Sequence, residues 1–153
     1  MRRVLGLGNP LHGDDGVGVR VAEALRQLPL PNDVEVIALG AQVLALPGLL
    51  AGCTAAVLVD AAHDGAPAGR VAIQRAEDLL QAGVSSASSH AADLRFALRA
   101  AQAELGALPP TQVVTVAVTE IEPFKTGLSP AVEHAVPVVV TNIARLLQSR
   151  DRP

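Results

Sequence analysis

The 153-residue sequence has one cysteine, no tryptophan, no tyrosine and only two phenylalanines. A single cysteine excludes an intramolecular disulfide and any multi-cysteine zinc or iron-sulfur site built by one chain, so a reducing compartment is the economical expectation. The scarcity of aromatics leaves almost no surface on which single-stranded bases could stack, and the core must be aliphatic. Charge is scarce too: the formal value of -3 lacks the concentrated positive field that phosphate backbones or anionic lipids attract. Neither nucleic acid nor membrane is an expected partner, and a neutral or protein substrate fits better. Long apolar runs are also missing. Behind Met1-Arg2-Arg3 the apolar stretch extends only from Val4 to Leu7 before Gly8-Asn9-Pro10 interrupts it, too short for a signal peptide or a membrane span. A cytoplasmic location follows as the expectation.

What is present is a succession of short apolar runs and helical stripes, with half of the residues hydrophobic and enough chain for one core. Val4 to Gly8 reads as a strand ended by turn residues, followed by a helix with Val17, Val21, Ala24, Leu25 and Leu28 on one face. Val34 to Leu39 is a β-branched run closed by Gly40, and a weaker helix around Val43 to Leu50 contains Pro47. Ala55 to Asp60 is apolar until its final carboxylate, the pattern of a central strand buried on both faces of a parallel sheet. Gly69 to Arg75 alternates, as an edge or antiparallel strand does. The small polar segment Gly83 to Ser89 then delivers His90 to a helix with Leu94, Ala97, Leu98, Ala101 and Leu105 on its stripe, Ser88 or Ser89 serving as N-cap. Gln112 to Thr119 is another buried strand, and Ser129-Pro130 opens the last helix, which Pro137 kinks or truly begins. The tail from Arg150 to Pro153 is expected to fray. The order β-α-β-α-β-β-α-β-α predicts a single three-layer α/β domain over 1–153, with a mostly parallel twisted sheet of about five strands and helices on both faces.

In such sheets ligands bind outside the carboxyl ends of the strands. That rule selects Asp14 and Asp15 after the first strand, Asp60 at the end of the central one, and His90 at a later helix start. Each also has a plainer reading. Asp14 has the short carboxylate of a helix N-cap, Asp15 then sits in the first turn with the helix dipole, and His90 suits a helix start on the surface. Asp60 is the hardest to explain away, because an acid after five apolar residues must find a partner or bear desolvation. His63 and His134 carry no comparable context. A dinucleotide site is excluded: Leu11 stands where G-x-G-x-x-G needs its third glycine, and the second strand ends Ala38-Leu39-Gly40 without an acid for the ribose. No Walker-type lysine and no G-x-S-x-G serine is present, and Cys53 sits in apolar surroundings.

Leu5-Gly6-Leu7-Gly8-Asn9-Pro10-Leu11-His12-Gly13-Asp14-Asp15-Gly16-Val17-Gly18 closely resembles the opening signature of the hydrogenase maturation proteases, G-N-x-L-x-x-D-[DE]-G-x-G. Val57-Leu58-Val59-Asp60-Ala61 looks like the family's second signature, His90 sits where its small-residue loop presents a histidine, and Gly127-Leu128-Ser129-Pro130 resembles the start of its last helix. The resemblance spans almost the whole chain. It implies an endopeptidase that removes the C-terminal extension of a nickel-loaded nickel-iron hydrogenase large-subunit precursor, with Asp15, Asp60 and His90 contacting the nickel. Many members have Glu at the position of Asp15, whose carboxylate reaches one methylene less far. Phe124 and Lys125, in a loop that varies within the family, are the candidates for precursor contact.

Two carboxylates and one imidazole without thiolates form a borderline ligand set with open positions, suited to brief recognition of a metal that another protein carries. Nickel is therefore expected to arrive with the substrate, with no tightly bound cofactor of the protease's own. Asp15 and Asp60 are the catalytic candidates, and burial makes Asp60 the better general base. An aspartic-type mechanism shared by Asp15 and Asp60 stands beside the nickel-assisted one. A metal-dependent hydrolase holding its own zinc, and a nickel-binding adaptor that does not cut, are the competing readings.

Overall fold

Strand β1, Arg2–Leu7, places Val4 against one set of helices and Leu5 against another, because successive residues of a strand face opposite sides. The same alternation recurs in Val57 and Leu58 of β3, Ala55–Ala62, and in Val113 and Val114 of β5, Thr111–Ala117. These three strands are thus sandwiched, with consecutive apolar residues buried on opposite faces. The structure is a computed structural model that describes residues 1–82, 89–119 and 121–149, the side chains of residues 89–92 excepted.

Five strands form one sheet in the order β2-β1-β3-β5-β4, with β2 spanning Val34–Gly40 and β4 spanning Val71–Arg75. All neighbours are parallel except β4, which runs antiparallel to β5 at the edge. Helices α1, Val17–Leu25, and α5, Pro130–Gln148, cover one face through Val17, Val21, Leu25, Val132, Val139 and Ile143. Helices α2, Leu46–Leu50, α3, Ala76–Gln81, and α4, Ser89–Leu105, cover the other with Leu46, Leu50, Leu80, Leu94 and Leu98. The three-layer α/β architecture, the central position of β3 and the antiparallel edge strand all match the sequence expectation.

Several details differ. The first helix stops at Leu25, and Leu28 is exposed. The helix expected over 43–50 is a short 3-10 turn, Val43–Ala45, leading into α2, with Pro47 in the first turn where its missing N–H costs nothing. Helix α3 was not expected. Its six residues are too few to show a stripe, but Ala76 and Leu80 are buried one turn apart and Glu77 and Asp78 favour its amino end. Helix α5 starts at Pro130 and continues through Pro137, so Pro137 does not mark its beginning. Pro137 and Glu133, whose carbonyl loses its donor to the proline, both lie on the exposed face, where water can satisfy the carbonyl. The small polar segment 83–88, Glu120 and the tail 150–153 lie outside the described residues. Among the described residues no helix is long and apolar enough to cross a membrane.

The strand order reverses between β1 and β3. From β1 the chain crosses over to β2 on one side, and from β3 it proceeds to β4 and then back to β5 on the other. Connections that leave in opposite directions open a crevice at the carboxyl ends of the two strands. Gly6 pairs with Val59 in register, so Leu7-Gly8 and Asp60 emerge at the mouth of that crevice.

Candidate active site

The turn after β1 is held by its own backbone and by Asn9. The Asn9 side-chain carbonyl accepts the Leu11 N–H at 2.9 Å, and its backbone N–H donates to Asp15 Oδ2 at 2.9 Å. A single 3-10 turn, Gly13–Gly16, follows and carries both acids inward. Two glycines make the approach possible. A side chain on Gly18 would collide with the carbonyl oxygens of Leu7 and Val59, and one on Gly8, whose φ is +102°, would collide with the carbonyl of Asp15. Helix α1 therefore packs backbone to backbone on the ends of β1 and β3.

That packing brings Asp15 and Asp60 to one crevice of about 260 Å³, which His12 and Asp93 also line. Asp15 is 1% exposed and Asp60 8%. The Ala61 N–H donates to Asp60 Oδ1 at 2.8 Å, which is little compensation for burial. Desolvation, reinforced by the negative charge of Asp15 and only partly offset by the Ala61 N–H, pushes the Asp60 carboxyl up to about 7. A carboxyl poised there can hold a proton or release one at neutral pH.

Asp14 overturns its sequence reading. It does not cap the helix that follows, for neither the 3-10 turn nor α1 has a side-chain cap. Its oxygens instead accept the Ser129 N–H and the Ser129 hydroxyl, both at 2.7 Å. Asp15 lies in the 3-10 turn rather than in the first turn of α1. Its carboxylate is held by Asn9, a contact that the dipole argument does not supply. His90 lies in the first turn of α4, and its side chain lies outside the described residues. Asp93, one turn further along that helix, reaches the crevice. Among the described residues no three His, Cys, Asp or Glu side chains form a group able to hold a metal ion.

Phe124 and Lys125 lie on a lip beside the crevice. The backbones of His12 and Lys125 form a parallel bridge, and the His12 ring meets Phe124 edge-on with centroids 6.2 Å apart. Phe124 is 92% exposed, and its φ of 61° is the only positive φ outside glycine among the described residues. Lys125 pairs with Glu122 at 3.1 Å. His63 and His134 are exposed and stand apart from the crevice. Cys53 donates to the Leu49 carbonyl at 3.1 Å, in keeping with its apolar setting. Sequence reasoning missed Asn9, Asp93 and Ser129 as parts of the site. The i, i+3 spacing of His90 and Asp93 was a usable signal for one of them.

A family model described as hydrogenase maturation protease matches residues 19–146. The chain belongs to the hydrogenase maturation protease family. Over 150 residues it is 28% identical to the hydrogenase expression/formation protein HupD of Rhodobacter capsulatus, covering 95% of this chain and 70% of that one. It superimposes on the hydrogenase-maturating endopeptidase HybD from E. coli with a TM-score of 0.84 at 29% identity, over 97% of this chain and 92% of the other. A solution structure of an endopeptidase from Escherichia coli gives 0.87, also at 29% identity, over 97% and 93%. The protein is thus a maturation endopeptidase, a hydrolase acting on peptide bonds. The family match takes in Asp60 and position 90 and begins just after Asp15.

Proposed function

We propose that this protease removes the C-terminal extension of a nickel-iron hydrogenase large-subunit precursor in the cytoplasm after nickel has been inserted, using the bound nickel as the sign of readiness. The observation that carries the reading is the shared crevice of Asp15 and Asp60, in which one buried carboxyl sits near neutrality. Nickel arrives as part of the substrate, and Asp15, Asp60 and His90 are its contacts on the protease. Carboxylate and imidazole donors hold such an ion loosely enough for the product to leave.

In the chemical step Asp60, ionised, removes a proton from a water molecule as its oxygen attacks the scissile carbonyl carbon. The same carboxyl then returns the proton to the departing amine nitrogen, so the C–N bond breaks with no net change on the enzyme. The neighbouring Asp15 carboxylate, which accepts the Asn9 N–H, raises the basicity of the Asp60 carboxyl. Phe124 and Lys125 contact the precursor outside the crevice. The exposed ring offers a large anchor of the kind enriched at the centres of interfaces.

The same geometry supports a second reading, a metal-independent aspartic-type mechanism in which Asp15 and Asp60 share the work. Incubation with the precursor, followed by intact mass, tests both. The proposed reading expects the precursor to shorten with nickel and to remain whole without it, and expects Asp60→Asn to abolish cutting. Wild-type cutting by Asp60→Asn refutes the assignment of the base. Cutting of nickel-free precursor at an undiminished rate favours the aspartic reading. Loss of nickel dependence in a variant of Asp15 or His90, with cutting retained, would separate recognition from catalysis.

A further inference from the structure

Ser129 stands at the amino end of α5 in the extended conformation of a cap, yet its side chain makes no capping hydrogen bond. Its hydroxyl and its N–H are both spent on Asp14, each at 2.7 Å. Asp14 is 8% exposed and adjoins Asp15, which lines the crevice. Preceding Ser129 in the chain, the lip runs back along the first turn. The Gly13 N–H donates to the Lys125 carbonyl at 2.7 Å, and His12 bridges Lys125. The lip is thus fastened to the acid-bearing turn at two points after Phe124, by Gly13–Lys125 and by Asp14–Ser129. An exposed aromatic residue with a left-handed backbone persists only where its surroundings over-determine it. The bonds at Lys125 fix the residue directly after Phe124, and the Asp14–Ser129 pair fixes the segment that leads on from it.

We propose that Asp14 and Ser129 are positioning residues of the endopeptidase: their paired hydrogen bonds lock the lip bearing Phe124 to the turn bearing Asp15, so that a precursor segment held on the lip enters the crevice in fixed register. This inference rests on the active-site reading above. Neither residue touches the reacting atoms, and the latch acts through the lip. Its loss therefore weakens productive binding and spares the chemical step once substrate is seated.

The test is steady-state cutting of nickel-loaded precursor, with kcat and KM measured separately. Ser129→Ala is expected to raise KM about tenfold, the loss of one hydrogen bond to a charged acceptor, with kcat within about twofold. Ser129→Thr keeps the hydroxyl and is expected to restore KM. Phe124→Ala alone raises KM, and adding Ser129→Ala to it is expected to change KM by no more than about twofold further, because both act on one element. Should Ser129→Ala fail to fold, Ser129→Gly carries the same comparison, since glycine is tolerated at a helix N-cap. An unchanged KM in Ser129→Ala beside a raised KM in Phe124→Ala overturns the latch, as do independent effects in the double variant or a fall confined to kcat. Undiminished cutting by Asp60→Asn is a separate result that removes the site reading on which the latch depends.

Discussion

Asp60 bears the clearest electrostatic cost in the site, and its consequences can be measured apart from substrate. Its folded carboxyl titrates at about 7 against an ordinary value of 3.8, so the folded state holds a proton that the unfolded chain has released. Stability from this group is unaffected below about pH 4, falls as pH rises toward 7, and is lowest above that. Asp60→Asn removes the penalty. It is expected to stabilise the protein by on the order of 2 kcal/mol at pH 8 and by little at pH 4, as read by chemical denaturation at the two pH values. Activity runs the other way. If Asp60 is the base, kcat/KM rises through about pH 7 and then levels, and Asp15→Asn moves that midpoint down by removing the neighbouring charge. A profile flat from pH 5 to pH 8 would count against Asp60 as the titrating base. At this scale Asp60 was legible, because a carboxylate directly after five apolar residues has no bland partner in its own neighbourhood, although β3 continues past it to Ala62 rather than ending there. Asp14 was misread. Its residue type and position fit a local cap, whereas its actual partner is Ser129, 115 residues away, and no local pattern encodes that contact.

At the scale of elements, the site depends on how closely α1 packs on the ends of β1 and β3. Gly18→Ala brings a methyl group against two backbone oxygens, which cannot yield as a flexible side chain would. A loss of about 2 kcal/mol or more is expected, seen as a lower urea midpoint, together with reduced cutting because Asp60 directly follows Val59. Gly48, in α2, meets nothing within 4 Å, so Gly48→Ala is expected to be neutral or to stabilise by up to about 1 kcal/mol. Equal effects of the two substitutions would contradict the packing account. The strands were legible as β-branched runs, and the antiparallel edge as an alternation. Helix α3 was not, since six residues cannot display a helical period and it depends on burial of Ala76 and Leu80. The bounds of the last helix were obscured by Pro137, which tertiary packing of Val132, Ala135 and Val136 overrides.

Across the whole molecule, the sheet order explains why residues 15 and 60 meet. Asp15 follows β1 and Asp60 lies near the carboxyl end of its parallel neighbour β3, at the point where crossovers diverge, so distance in the chain becomes proximity at one edge. The aliphatic core leaves both phenylalanines exposed, Phe96 at 65% and Phe124 at 92%. Removal of the Phe124 ring is therefore expected to leave the melting temperature unchanged while weakening precursor binding, a separation that thermal melts and processing kinetics read together. The fold class and the two acids were accessible from sequence because strand patterning and the switch-point rule are general. The lip and the crevice wall contributed by Asp93 were not, because they depend on how separate segments dock.

Asp15 and Asp60, brought together from neighbouring strands, share one buried crevice in which the Asp60 carboxyl titrates near neutral pH. Carbon-detected NMR titration of the Asp60 carboxyl in the wild-type protein and in Asp15→Asn tests it most directly. A midpoint near 7 that falls when the Asp15 charge is removed is the expected result. A midpoint near the ordinary 3.8, indifferent to Asp15, would contradict it.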